Sequence, residues 1–203
     1  MAGPAAGVLL PDRWTAGNVD EFHEWLASWL TPAGDNTWLP SSVEAPTTTA
    51  IGSWRPRSAA GPTTTAVGSW RPRSAVGPMT VEVGPRECED ADEAAHLRQA
   101  LGYLPGTEIV LAAAVSGPEN HRFLAQLAIA VARRYDGLID LDGLLPTGGP
   151  EWKNRSRAII RTLPGRWHEI PYRTAGDEAA AYHVVDADLL TAWLQHSQFR
   201  MVK

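Results

Sequence analysis

Ile109 to Val115 is a continuous run of seven apolar residues. It is followed closely by an amphipathic segment, Glu119 to Tyr135. A fully apolar run of strand length suits a strand covered on both faces, so this stretch predicts the centre of a sheet over Thr107–Val115. In the next segment Phe123, Leu124, Leu127, Ala128, Val131 and Tyr135 recur at helical spacing and make one broad apolar face. Ser116-Gly-Pro-Glu119 has the form of a capping box that would open this helix. A buried strand and a helix to cover it require a layered fold in which sheet and helix share a core.

The same rules extend along the chain. Gly7–Leu10 reads as a first strand, and Val19–Leu30 as a helix with Asn18 as its N-cap. Met79–Val83 alternates at period two and reads as a half-buried strand. Ala91–Leu101 reads as a helix stopped by Gly102, and Leu138–Leu141 as a short strand. Leu144–Asn154 is rich in Gly and Pro and reads as a loop, while Ser156–Leu163 fits either a strand or a helical turn. Arg166–Tyr172 and Ala179–Val185 form a hairpin, and Asp186 caps a last helix through Gln195. The fold class is α+β: a mixed sheet of about seven strands with about four packed helices. Residues 7–115 give the order of a ferredoxin-like split βαβ unit.

Residues 1–203 are expected to form a single domain. Within them Thr47–Pro62 (TTTAIGSWRPRSAAGP) is repeated as Thr63–Pro78 (TTTAVGSWRPRSAVGP), the copies differing at two positions. Repeat arrays need about three or more units to share a core, so two near-identical copies read as a tandem duplication forming a loop or edge insertion.

Composition narrows the function classes. Cys88 is the only cysteine, which excludes an internal disulfide and any zinc site with two thiolates. The N-terminal residues lack the basic and apolar regions of a signal peptide. No apolar run approaches the roughly 20 residues of a membrane span, so a cytoplasmic location is expected. The net charge is −5 and unevenly spread: residues 47–78 are basic, while 1–46 and 79–150 are acidic. Acidic blocks disfavour general nucleic-acid binding and favour a basic protein partner.

No phosphate-loop, dinucleotide-binding, nucleophile-elbow or paired-histidine metal motif is present. His168 and His183 could face each other across the final hairpin. Asp140 and Asp142, with His121 or His183, offer the alternative of a small metal-dependent hydrolase. Cys88 sits among Glu87, Glu89, Asp90 and Asp92, whose charge blunts a thiol nucleophile. No catalytic, cofactor or metal residue is therefore assigned, and the balance leans away from an enzyme. Candidate partner-binding residues are Glu87, Glu89, Asp90, Asp92, Glu93, Asp136, Asp140 and Asp142, with Trp54 and Trp70 as loop anchors.

Asn120–Ala128 through Tyr135–Asp140, Pro164–Tyr172 through Tyr182–Asp186, and Phe199–Lys203 resemble an uncharacterised family of GC-rich filamentous bacteria, a domain of unknown function. The segment around 120–142 is also similar to immunity-type proteins encoded beside polymorphic toxins. The resemblance implies a protein that antagonises a basic toxin by docking on it, and carries no catalytic residues.

Overall fold

The computed structural model describes residues 3–41, 76–88, 90–147 and 151–202. The expectations for the duplicated segment up to residue 75 fall outside these residues, as do Trp54, Trp70 and Glu89. Five helices and eight strands are described: β1 Ala5–Leu10, α1 Ala16–Leu26, β2 Leu30–Pro32, β3 Thr37–Pro40, β4 Met79–Gly84, α2 Ala91–Leu101 and β5 Thr107–Ala113. Then follow α3 Pro118–Tyr135, β6 Leu138–Asp140, α4 Trp152–Ile160, β7 Trp167–Arg173, β8 Ala179–Val185 and α5 Ala187–Leu194. The α+β class is as expected.

The strands make one sheet in the order β2-β3-β4-β5-β1-β6-β8-β7. Every neighbouring pair is antiparallel. A split βαβ arrangement of residues 7–115 would place β4 beside β1. Instead β4 pairs with β5, and β1 lies between β5 and β6. The first strand of the chain is thus an interior strand. Five of its six residues are buried.

Side chains alternate across a strand, so each face of the sheet has its own core. On one face Val8, Leu10, Ile109, Leu111 and Val81 pack against α1, α3, α4 and α5, with Phe22, Leu124 and Trp193 among the buried residues. On the other face Leu9, Leu138, Ile170, Tyr182 and Val184 pack against Leu97 of α2. Only α2 serves this second face among the described residues. β5 accordingly alternates between buried and half-buried positions rather than being buried on both sides.

Local differences from the expected elements have physical causes. Asn18 is not the N-cap of α1. Its carboxamide accepts from the N–H and the hydroxyl of Thr15, which takes the cap position one turn earlier. The helix then closes at Leu26, and Leu30 opens β2 instead of completing an apolar helical stripe. α3 is capped by the backbone of Gly117 with Pro118 in its first turn, because the Ser116 hydroxyl turns instead to His121. The ambiguous stretch before the hairpin is α4, with Ile160 in the main core. α2, with Asp90 as N-cap and Gly102 in the left-handed region at its end, matches the expected span.

Candidate functional site

Two side-chain groupings flank the end of β6. The first is a carboxylate cluster on the second face. Arg86, just beyond β4, donates from Nη1 to both oxygens of Glu108 at 2.9 Å. Its Nη2 donates to Glu93 Oε1 at 3.0 Å and stands 3.6 Å from Asp140 Oδ2. The Tyr182 hydroxyl donates to the same Glu93 oxygen at 2.7 Å. Three carboxyl groups therefore share one guanidinium, and all are largely buried.

Unequal numbers of opposite charges at low dielectric must be settled by protonation. Burial pushes the Asp140 carboxyl up to about 7, opposed by the Arg86 charge and by the Asp142 N–H, which donates to Oδ1 at 2.8 Å. Burial would lower the Arg86 pKa, but Glu108 and then Asp140 outweigh it and raise it, so the guanidinium stays charged. Burial, followed by the hydrogen bond to Glu93, raises the Tyr182 phenol. Burial and then the Glu93 charge raise the Cys88 thiol, in keeping with a poor nucleophile.

Of the residues singled out in the sequence, the cluster brings together Glu93 and Asp140, with Asp142 beside them. Glu87 and Asp92 are exposed at the same end of the molecule, in the loop after β4 and the first turn of α2. Asp90 is occupied in capping α2 through the Asp92 N–H. Asp136 lies at the opposite end of β6, closing α3 in the left-handed conformation. Sequence reasoning missed Arg86, Glu108 and Tyr182. A charged Glu108 at the head of an apolar strand and a lone Arg86 in an acidic stretch were the signals.

The second grouping is an open cleft of roughly 1040 Å³ between the β6–α4 loop, α4, the β7–β8 hairpin, the start of α3 and the C-terminal segment. Two buried histidines pin its walls. His183 Nδ1 accepts the Leu145 N–H at 3.1 Å, and His121 Nδ1 accepts the Met201 N–H at 2.9 Å. Accepting a backbone N–H requires a lone pair at Nδ1, so the neutral ring carries its proton on Nε2. His121 Nε2 is 3.3 Å from Ser116 Oγ. It stands there as a donor, which is the wrong polarity for a base that would activate the serine. Burial holds His183 down to about 4 against the nearby Glu169 charge, so the ring is neutral at pH 7. Its Nε2 is 3.7 Å from Glu169 Oε2, beyond hydrogen-bond distance.

The pairing register separates the groups that a hydrolase would need. His168 is opposite Val184 and His183 is opposite Glu169, so the two histidines project from opposite faces and do not meet. Asp140 lies with Tyr182 on the second face, away from His183. His121 stands at the start of α3 on the first face, and Asp142 lines the cleft with it. Among the described residues, no group of three or more His, Cys, Asp or Glu could hold a metal ion. No helix among them is long and apolar enough to cross a membrane.

A model for a family of unknown function (DUF6368) matches residues 2–203. No curated protein and no solved structure matches the chain.

Proposed function

The chain belongs to this family of unknown function, and from the geometry above we propose that it is a binding protein whose acidic sheet face docks a basic protein. The observation that carries this reading is the excess of carboxylates around Arg86. Glu93, Glu108 and Asp140 share one cation, and exposed Glu82, Glu87, Asp92 and Asp142 border them. Beside the cluster, the second face of β4 and β5 carries Thr80, Val110 and Ala112, which no described helix covers. A flat face of small residues with an acidic border suits a partner that brings lysines and arginines. Complementary charge would accelerate encounter and fix orientation.

A basic toxin is the partner class that fits, with this chain as a cytoplasmic immunity-type antagonist. The contact would be made by Glu82, Glu87 and Asp92, with Asp142 at the edge that this face shares with the cleft, and with Glu93 and Glu108 behind them as the buried source of field. Asp136 lies away from this face.

The test is calorimetric titration of the full chain with the basic protein encoded beside it, at two salt concentrations. Binding that weakens more than tenfold in E82K/E87K/D92K, and weakens with salt, supports the reading. A complex indifferent to both, or no complex, refutes it.

A further inference from the structure

We propose that the cleft between α4, the β7–β8 hairpin and the C-terminal segment is a separate small-molecule site for an anion that carries a planar ring, of the nucleoside-phosphate type. Four cations line it: Arg122, Lys153, Arg157 and Arg200. Arg157 is consumed by Glu169, which it grips from both Nε and Nη2. The other three have no carboxylate partner among the described residues. Arg122 stands 5.8 Å from the Phe199 ring and Lys153 5.8 Å from the Trp152 ring, while Arg200 Nε donates to the Pro146 carbonyl. Asp142 is the remaining acid on the wall, so the lining keeps a positive balance. In a chain of net charge −5, a concave surface of opposite sign is a local arrangement that overall composition does not supply.

The apolar part of the lining says what the anion carries. Trp152 is 39% exposed on a helix whose two isoleucines, Ile159 and Ile160, pack inward. It faces a cleft that also includes Pro171 and Phe199. Aromatic side chains and proline offer stacking surface to a flat ring, and the cations offer charge to phosphate. The volume is at the upper end of small-ligand pockets and far exceeds that of a lone inorganic ion.

The walls are built rather than incidental. His183 holds Leu145, His121 holds Met201, the Thr147 hydroxyl donates to the Trp152 carbonyl at 2.9 Å, and the Trp193 indole donates to the Arg200 carbonyl at 3.0 Å. Each rim is tied to a buried element, so ligand entry needs little ordering.

The experiment is calorimetric titration of the full chain with adenosine diphosphate, guanosine diphosphate and pyrophosphate. It is repeated on R122Q/K153Q and on W152A, whose melting temperatures check folding. Expected are nucleotide binding, a loss of at least tenfold in R122Q/K153Q, and a loss in W152A for the nucleotides but not for pyrophosphate. Pyrophosphate binding as tightly as the nucleotides, with no effect of W152A, overturns the ring assignment. No binding at millimolar ligand, or binding undiminished in folded R122Q/K153Q, overturns the site. E82K/E87K/D92K, on the other face, should bind the nucleotides unchanged, which separates this site from the docking surface.

Discussion

The Glu108 carboxylate lies over the Cα of Gly7 on the neighbouring strand, in the space that any side chain at position 7 would claim. Asp140, paired with Gly7 on the other side, lines the same gap. The glycine therefore lets Glu108 cross the sheet face to reach Arg86. Gly7→Ala should displace Glu108 and cost about 1–3 kcal/mol, the range for disrupting a largely buried charged hydrogen bond. In a Glu108→Ala background the same change should cost much less, because the space is then free. Urea unfolding of the four proteins measures the coupling, and additive losses would argue against the contact.

Removing Arg86 should cost more than removing any one of its partners. Arg86→Met leaves Glu93, Glu108 and Asp140 facing one another without their cation, and uncompensated buried charge costs on the order of 3–5 kcal/mol. Adding Glu108→Gln and Asp140→Asn to that variant should recover much of the loss. A triple variant no more stable than Arg86→Met would show that packing, not charge, sets the cost.

Asp140 gives stability that declines as pH rises. An unfolded aspartate ionises near 3.8 and the folded one near 7, so between these values the native state holds a proton that the unfolded state has released. The stabilisation is complete below the lower value and gone above the upper. Asp140→Asn should abolish this slope, worth on the order of 4 kcal/mol across the window at about 1.4 kcal/mol per pH unit. Denaturant midpoints from pH 4.5 to 8 decide it.

His183 works in the opposite sense over much of the same range. Its folded value near 4 lies below the unfolded 6.5, so the unfolded state binds the extra proton and stability is lost as pH falls from 6.5 towards 4. In the Asp140→Asn protein, where its main opponent is gone, a loss of up to about 3 kcal/mol should appear in acid. His183→Gln, which keeps an acceptor for the Leu145 N–H, should remove it. If Asp140→Asn and the unaltered protein share one acid profile, the opposing contributions are not those assigned here.

Elements bounded by their own side chains were legible in the sequence. α2 lies between Asp90 and Gly102, and the β7–β8 hairpin leads into α5 through Asp186, whose carboxylate accepts the Leu189 N–H. Elements decided by distant partners were not. β2 and β3 exist because Trp38 is buried in the core and Leu30 pairs with Pro40, facts that no local pattern carries. Leu30 has the helical spacing expected of α1, but Thr15 starts that helix early and it ends before reaching Leu30. Asp140 reads in sequence as a turn carboxylate beside Asp142. Its burial depends on Arg86, Glu108 and Tyr182, which arrive from three other strands or their ends. The cleft escaped sequence reading for a similar reason, since its cations are scattered between Arg122 and Arg200 without a motif.

β1 sits between β5 and β6, whose partner residues begin about 100 positions further along the chain. On a ribosome adding roughly 5–20 residues per second, the first strand emerges with both edges open and waits about 5–20 s for its earlier neighbour. During that interval Val8, Leu9 and Leu10 form a short sticky edge on a nascent chain that has nothing yet to pair with it. Pairing of the first strand thus waits on residues 107–140, and a chaperone that shields the first ten residues should raise the yield of native protein more than one acting on the finished chain.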